Sequence, residues 1–282
     1  MLADEFSQRS QMPGVTTTGQ SCSVVVEIGG LPIRLHCTDP AFVRQIERRY
    51  TGYVSFADKP RFDFDIELAR PGTRASDAEV SVAWDSGRWL MERGDFRAEW
   101  NPSAARGRIQ QAINPYSLDS VLRIVHTLLL AREGGFLLHA SSAIRNGRAF
   151  LFSGVSGAGK TTIARLAPPD AALLTDEISY VTRRNGRYFA VGTPFYGELS
   201  RVGENLKAPI EVLYLLAKGP ENKIEPIAAS DALRGLLRNI LFFARDPELV
   251  NMVFDTACDF ASHIPVRRLT FAPNSAVWEM II

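Results

Sequence analysis

Hydrophobic and polar residues alternate along much of the first part of the chain, and this period of two predicts half-buried β-strands. The alternating apolar residues are Phe62, Phe64, Ile66 and Leu68, then Val80, Val82 and Trp84, then Phe96, Ala98 and Trp100. One stretch differs, because Phe42, Ile46 and Tyr50 recur every four residues and predict a helix that begins at Asp39-Pro40. This region is therefore predicted to be β-rich with one helix.

A hairpin is predicted before that helix, because two apolar runs, 24–28 and 31–35, flank Gly29-Gly30. A two-residue turn at these glycines places Cys22 directly opposite Cys37. The chain has three cysteines and no C-x-x-C pair, which argues against a zinc site. In a reducing cytoplasm, Cys22 and Cys37 are expected to be a pair of thiols.

Helical and strand patterns alternate in the second part of the chain. Ser117 is predicted to cap a helix that ends at Gly134-Gly135. Asn146-Gly147 and Asn185-Gly186 each separate two apolar runs and predict two more hairpins. A short helix is predicted to stop before Pro168-Pro169. Further strands are predicted at 171–174, 211–216 and 266–271, and further helices at 231–245 and 247–260.

These patterns divide the chain into four regions. Residues 1–20 are polar with little periodicity and are predicted to form a mobile tail. A β-rich domain follows at 21–116, a candidate for substrate recognition, and a connecting helix at 117–133. Residues 134–282 are predicted to form the catalytic domain.

Composition excludes several classes of function. The 282 residues are 46% hydrophobic and 22% charged, as in a soluble globular protein, and the formal net charge is +1. That balance argues against nucleic acid or an anionic membrane as a partner. No apolar run approaches the roughly 20 residues that span a bilayer, and the N-terminus lacks a secretory pattern. We therefore expect a cytoplasmic protein.

One motif carries the candidate chemistry. Residues 154–161 are Gly-Val-Ser-Gly-Ala-Gly-Lys-Thr, a complete match to the phosphate-binding pattern G-x-x-x-x-G-K-[ST], set between an apolar strand and a helix. Glycines let backbone N–H groups approach phosphates, the lysine reaches the β- and γ-phosphates, and the threonine hydroxyl reaches Mg²⁺. The motif predicts that ATP or another nucleoside triphosphate is bound by Gly154, Ser156, Gly157, Ala158, Gly159, Lys160, Thr161 and Thr162.

Two carboxylates and a histidine are the other candidates. Asp176 and Glu177 end a predicted strand, and in a parallel strand–loop–helix–strand unit that end lies beside the phosphate loop. One carboxylate could hold Mg²⁺ and the other could accept a hydroxyl proton. His139 lies in the hairpin that leads into the loop. A hairpin in that position is unusual for a doubly wound nucleotide-binding fold, in which a helix connects parallel strands.

These residues together resemble the HPr kinase/phosphorylase superfamily. The resemblance is carried by Leu-Leu-His-Ala-Ser at 137–141, the phosphate loop, Leu-Thr-Asp-Glu at 174–177 and Gly-Thr-Pro-Phe-Tyr-Gly-Glu at 192–198, and it covers roughly residues 134–272. It is closest to the HPr-kinase-related branch, often found beside genes for peptide natural products, including lasso peptides. The family core is similar to phosphoenolpyruvate carboxykinase, so an α/β fold of that kind is expected.

The resemblance implies an ATP-dependent serine kinase that acts on a peptide or small protein and tends to form homo-oligomers. It implies that Lys160 binds the β- and γ-phosphates, that Thr161 binds Mg²⁺ with Glu198, and that Asp176 or Glu177 is the base, with His139 close by. HPr kinases have Asp-Asp where this chain has Asp176 and Glu177, so the identity of the base stays open. An arginine from a later helix is also implied, and Arg238 and Arg245 are the candidates.

Two departures argue against a true HPr kinase. The first 120 residues do not match the N-terminal domain of that enzyme, and the C-terminal Gly-rich segment tied to the reverse reaction has no counterpart here. The hypothesis is therefore a kinase without the dephosphorylating activity. The alternatives are a kinase for a small-molecule hydroxyl and a nucleotide-binding regulatory module without turnover.

Overall fold

The computed structural model describes residues 22–69 and 79–282, which form a mixed α/β fold made mostly of sheet. The mobile tail predicted for residues 1–20 lies outside the described residues. Two sheets account for all of the strands in this part of the chain.

The first sheet has eight strands in the order β3-β1-β2-β4-β8-β7-β6-β5. Their bounds are β1 Cys22–Ile28, β2 Leu31–Cys37, β3 Val54–Ser55, β4 Phe62–Leu68, β5 Ser81–Asp85, β6 Arg88–Arg93, β7 Phe96–Asn101 and β8 Arg106–Gln111. Most pairs are antiparallel, whereas β4 runs parallel to both β2 and β8. The alternation of hydrophobic and polar residues is confirmed as strand structure, since Phe62, Phe64 and Ile66 point into the core.

The second sheet has nine strands: β9 Phe136–Arg145, β10 Arg148–Ser153, β11 Ala172–Thr175, β12 Ile178–Arg184, β13 Arg187–Val191, β14 Lys207–Lys218, β15 Lys223–Pro226, β16 Ile240–Leu241 and β17 Val266–Phe271. The order β10-β9-β12-β13-β14-β17-β15 forms its main path, while β11 and β16 both pair with β9. Because β10 also pairs in parallel with β14, the strands β10, β9, β12, β13 and β14 form a closed circuit.

Five α-helices accompany the sheets: α1 Pro40–Arg49, α2 Pro115–Glu133, α3 Lys160–Arg165, α4 Ala229–Leu237 and α5 Pro247–His263, followed by a 3-10 turn at Ser275–Met280. Helix α1 begins as predicted, because the Asp39 carboxylate accepts the Ala41 N–H at 2.8 Å and Pro40 fills the first helical position. No helix in residues 22–69 and 79–282 is long and apolar enough to cross a membrane.

The predicted two-residue turns are confirmed. Asn146 and Gly147 have φ of 52° and 74°, and Asn185 and Gly186 have φ of 50° and 77°. Both central positions of such a turn need positive φ, which asparagine and glycine tolerate best. The same geometry at Gly29-Gly30 sets Cys22 opposite Cys37, as predicted, and Cys37 is a free thiol.

Several boundaries differ from the predictions by a few residues, β14 among them, and those of α2 and α4 have a local cause. Helix α2 begins three residues earlier than predicted, because Asn114 is the cap, accepting the Tyr116 N–H at 2.9 Å, and Ser117 lies inside the helix. The predicted helix at 231–245 is also wrong in its second half, because α4 stops at Leu237. Residues 240–241 instead form β16, which pairs with Leu137 and Leu138 of β9.

One buried cluster joins the two sheets through helix α2, while two further clusters belong to the second sheet. Buried side chains of the first sheet, such as Leu35 and Phe64, belong to the same cluster as Leu122 of α2 and Tyr180 of the second sheet. Most residues of α2 are buried, on more than one face, as expected for a helix enclosed between layers. Side chains of α2 therefore reach the second sheet, where the candidate site lies.

Candidate active site

Strand β9 brings the candidate catalytic residues together. Both β10 and β11 run antiparallel to β9, so they point in the same direction and their carboxyl ends lie at the same edge of the sheet. The loop of residues 154–159 follows β10, and Asp176 and Glu177 follow β11. His139 lies on β9, next to Ala140, which pairs with the last residue of β10. The sequence predicted this proximity, and in the structure the antiparallel strand β9 lies between the two parallel strands.

A cleft of about 220 Å³ opens at this edge. Its lining includes every predicted catalytic and metal-binding residue together with most of the loop: His139, Ser156, Gly157, Gly159, Lys160, Thr161, Thr162, Asp176, Glu177 and Glu198. Gly197 and Lys218 complete the lining. The other two predicted loop residues, Gly154 and Ala158, do not line the cleft, and a Cβ on Gly154 would stand 2.8 Å from the Ala158 Cβ.

The loop has a backbone that requires glycine. Gly157 and Gly159 have φ of 76° and 110°, where a side chain is strained, and a Cβ on Gly159 would lie 2.7 Å from the Phe271 ring. Helix α3 starts at once, with its first intrahelical bond from the Ile163 N–H to the Gly159 carbonyl at 2.9 Å. The preceding N–H groups of the first turn have no intrahelical partner, so the loop and helix present backbone donors to the cleft.

Lys160 lies in the cleft with its amine turned to its own loop. The Nζ donates to the carbonyls of Gly154, at 2.9 Å, and Val155, at 3.3 Å. Burial lowers the pKa of this amine, while the negative charges of Glu177 and Glu198 act in the opposite direction. A cation held by neutral carbonyls beside two carboxylates can exchange those bonds for a phosphate oxygen.

Asp176 positions the segment that carries Glu198. The carboxylate is almost fully buried, with one oxygen accepting the Gly197 N–H at 2.9 Å and the other accepting the Leu199 N–H at 3.0 Å. A Cβ on Gly197 would come within 3.3 Å of Asp176 Oδ2, so a larger residue here would be tightly packed against the carboxylate. Both carboxylate oxygens of Asp176 are therefore engaged by backbone.

The side-chain carboxylate of Glu177 accepts fewer hydrogen bonds than that of Asp176. Burial raises the pKa of Glu177, and the charge of Asp176 raises it further. Arg123 opposes this shift, because its Nη2 donates to Glu177 Oε2 at 3.3 Å. A carboxylate with a pKa raised toward neutrality is a stronger proton acceptor than an ordinary one.

His139 is half-buried beside the loop. Burial and the neighbouring charges of Lys160 and Arg123 lower the pKa of His139, so the imidazole is neutral at pH 7. Its backbone N–H donates to the Asn239 carbonyl at 2.8 Å, which ties β9 to the segment before β16.

Arg123 and Lys218 are the site residues that the sequence prediction missed. Arg123 lies on α2, where the only signal was a charge that interrupts an apolar run; its guanidinium also lies 4.9 Å from the Phe195 ring centroid. Lys218 ends β14, whose parallel pairing with β10 carries it to the cleft.

The two arginines proposed from the sequence lie elsewhere: Arg238 follows α4, and Arg245 is exposed and pairs with Glu79.

A buried ion pair connects helix α1 to the site. Arg49 and Asp119 form a salt bridge in which each side chain is only 5% exposed, and the Tyr50 hydroxyl donates to the same carboxylate at 2.7 Å. Arg49 also donates to the Pro194 carbonyl at 2.8 Å and lies 4.0 Å from the Tyr196 ring centroid. The segment that carries Gly197 and Glu198 is thus anchored from both sides, by Arg49 and by Asp176.

The residues at the cleft fit a magnesium ion bound together with phosphates. Within the described residues, no group of three or more His, Cys, Asp or Glu side chains could hold a metal ion by itself. Magnesium in nucleotide sites needs only one or two protein ligands, because phosphates and water complete its shell. Thr161 and Glu198, which both line the cleft, are sufficient for that arrangement.

The chain belongs to the family described as SynChlorMet cassette protein ScmC, which matches residues 108–282. No curated protein matches the sequence. Among solved structures, the Hpr(Ser) kinase/phosphatase from Coxiella burnetii is similar at 10% sequence identity, over 51% of this chain and 90% of that chain, with a TM-score of 0.27. A TM-score this low does not show a shared fold, so the kinship with the HPr-kinase-related branch and with phosphoenolpyruvate carboxykinase stays a prediction.

Proposed function

We propose that this protein is a kinase that transfers the γ-phosphate of ATP to a serine hydroxyl of a peptide or small protein. The observation that carries the proposal is the convergence of the glycine loop, Lys160, a carboxylate with a raised pKa and a neutral histidine in one cleft. Phosphoryl transfer needs this set: donors for the phosphates, a place for a metal, and a group that accepts the hydroxyl proton.

Each residue has a role that follows from its contacts. The N–H groups of the loop and of the first turn of α3 bind phosphate oxygens, and Lys160 exchanges its loop carbonyls for the β- and γ-phosphates. Thr161 and Glu198 hold Mg²⁺, which when bound neutralises phosphate charge and orients the γ-phosphate. Asp176 keeps the 197–199 segment in place.

Glu177 is the proton acceptor in this proposal. Asp176 is poorly suited, because both of its oxygens already accept backbone N–H groups. Glu177 takes the serine proton while the serine oxygen bonds to the γ-phosphorus and the bond to the ADP oxygen breaks, so that the products are ADP and phosphoserine. His139 lies beside the loop as a hydrogen-bonding group. Because its pKa is lowered, the imidazole is neutral and adds no positive charge near Glu177.

Mass spectrometry of the full chain with Mg-ATP and peptides encoded beside its gene tests the proposal. A gain of one phosphate on a peptide serine, lost in Lys160→Met and kept in Lys207→Met, is the expected result. The second variant removes a lysine that does not line the cleft. Phosphate transfer by Lys160→Met at the wild-type rate would contradict the proposal. Tight ATP binding without transfer to any peptide would favour a small-molecule acceptor or a regulatory role.

A further inference from the structure

A second groove, of about 680 Å³, lies at the free edge of the first sheet. One side of it is β5 with the preceding Glu79 and Val80, and the other side is the segment 243–247, which leads into α5. It is larger than the candidate active-site cleft and shares no residue with it. Nothing in the proposed phosphate transfer uses this groove.

The backbone of β5 is open to the groove. Strand β5 is the outermost strand of the first sheet, paired only with β6 among the described strands. Ser86 and Gly87 form a two-residue turn with positive φ, so Asp85 and Arg88 are the hydrogen-bonded pair that closes the hairpin. Hydrogen-bonded and non-hydrogen-bonded pairs alternate along an antiparallel hairpin. Trp84 and Val82, one and three residues before Asp85, therefore turn their N–H and C=O groups away from β6. Within the described residues these groups have no strand partner, so another extended chain can pair with them.

The same two residues supply an apolar floor. Trp84 is 49% exposed and packs on the buried Trp89, with ring centroids 5.0 Å apart, and Val82 lies on the same face of β5. Phe243 and Pro247 line the opposite wall. Free edge groups beside exposed aromatic surface are the combination by which an extended peptide is bound as an added strand: the backbone gives affinity and alternate side chains fill the apolar floor.

The groove is also close to the candidate active site along the chain. The Asn239 carbonyl accepts the backbone N–H of His139, which lines the active-site cleft, and Arg245 lines the groove. Arg245 follows Asn239 by six positions, and such a segment spans at most about 20 Å even when fully extended. A peptide that leaves the groove therefore needs about six extended residues to reach Asn239, which is hydrogen-bonded to the strand that carries His139.

We propose that the groove beside β5 is the docking site for the peptide substrate, which binds in an extended conformation as an antiparallel or parallel neighbour of β5 with an apolar side chain over Trp84 and Trp89. This inference rests on the proposed function for the identity of its occupant. The docking itself involves backbone pairing and apolar contact and needs neither nucleotide nor metal.

Peptide binding in the absence of nucleotide tests the docking site. A displayed library of random 12-residue peptides is selected on the full wild-type chain, and enriched peptides are synthesised with a fluorophore for anisotropy titrations. Val82→Pro removes an outward N–H without breaking a bond to β6, as proline at the outer side of an edge strand allows. Trp84→Ser removes the exposed ring. Phe56→Ser, which removes an aromatic side chain that is 96% exposed and lies outside the groove, is the matched control.

We expect enriched peptides whose affinity falls at least tenfold in both Val82→Pro and Trp84→Ser and is unchanged in Phe56→Ser, with wild-type melting temperatures in Trp84→Ser and Phe56→Ser. Should Val82→Pro unfold, N-methylation of successive peptide residues gives the same readout, with losses at alternate positions. Failure to enrich any peptide, or peptides that bind both groove variants like the wild type, would overturn the docking site.

The kinase proposal fails or stands separately. Lys160→Met is expected to bind the peptides normally while transferring no phosphate. If the wild-type chain binds peptides in the groove but transfers phosphate to none of them, the docking site is supported and the kinase proposal is contradicted. If it transfers phosphate to a peptide whose KM is unaffected by Trp84→Ser, the kinase proposal is supported and the docking site is contradicted.

Discussion

Arg123 offers the sharpest test of the role of Glu177. The Arg123 guanidinium donates to Glu177 at 3.3 Å and opposes the rise in the Glu177 pKa that burial causes. Replacing it by methionine removes the positive charge while keeping an apolar side chain beside Phe195. The pKa of Glu177 must then rise further, because the charged carboxylate loses its nearest cation.

The size of the effect follows from the exposure of the pair. The side chains of Arg123 and Glu177 are 21% and 33% exposed, so solvent screens their attraction, and an ion pair of this kind contributes about 1 kcal/mol. Because about 1.4 kcal/mol is a factor of ten, this loss corresponds to a roughly fivefold change in the ionised fraction of Glu177 on the acidic side. The acidic limb of kcat/KM is therefore expected at higher pH in Arg123→Met, with a roughly fivefold lower rate at a fixed pH on that limb and recovery on the alkaline side.

The assay is the pH dependence of kcat/KM for phosphate transfer in the wild type, Arg123→Met and Arg123→Lys, with Arg132→Met as an exposed control on the same helix. The lysine variant keeps the charge and should hold the limb near its wild-type position. An Arg123→Met profile that overlays the wild type would show that Glu177 is not the titrating base. An equal loss at every pH would show that Arg123 acts on the phosphates rather than on Glu177.

Four further substitutions test individual side chains. Glu177→Gln should lower phosphate transfer by about 10²–10⁴-fold in a coupled ADP assay without changing the melting temperature. Asp176→Asn should lower the melting temperature, because an amide oxygen satisfies only one of the two backbone N–H donors. An Asp176→Asn variant as stable as the wild type would contradict the anchoring role of Asp176. Arg49→Met leaves Asp119 buried without its cation and should lower the free energy of unfolding in urea by about 3–5 kcal/mol. The control Arg44→Met, which replaces an exposed arginine of the same helix, should leave it unchanged. A loss below about 1 kcal/mol in Arg49→Met would contradict this prediction. His126 is fully buried, has no hydrogen-bond partner within the described part of the chain, and has a pKa that burial lowers to about 3. The unfolded chain therefore binds a proton near pH 6.5 that the folded chain does not, so stability present above pH 6.5 is lost at about 1.4 kcal/mol per pH unit as the pH falls toward 3. His126→Leu should remove about 2 kcal/mol of the difference in unfolding free energy between pH 7 and pH 5, and an unchanged difference would contradict this prediction.

Local signals in the sequence predicted the elements that depend on neighbouring residues. The turns at Asn146-Gly147 and Asn185-Gly186 were predictable because their positive φ values restrict the residues that can form them. Asn114-Pro115 is an equally local signal that was overlooked in favour of Ser117, and it sets the true start of α2. The loop at 154–159 and the carboxylates after β11 were found because a motif and a strand end are short-range patterns.

Segment 238–245 shows where local patterns fail. Its apolar residues suit a helix, yet residues 240–241 form a strand. Beyond the last pair of β10, Ser153 with Ala140, the remaining part of β9 offers unpaired backbone groups at Leu137 and Leu138, and β16 pairs with them. The periodicity of a segment does not reveal that another strand lies open beside it.

The sequence by itself determined the chemistry available to this protein: a phosphate-loop motif, an adjacent acidic pair, a histidine, and strands and turns in their order. Only the tertiary structure decided which residues, distant along the chain, contact these groups. It brought Arg123 to Glu177 from a helix 54 residues earlier, Arg49 to Asp119 and Pro194, and the edge of β5 to the segment 243–247. The physical reason is that such contacts depend on how two sheets pack around α2, and the energies of burial and charge that favour them have no period along the chain.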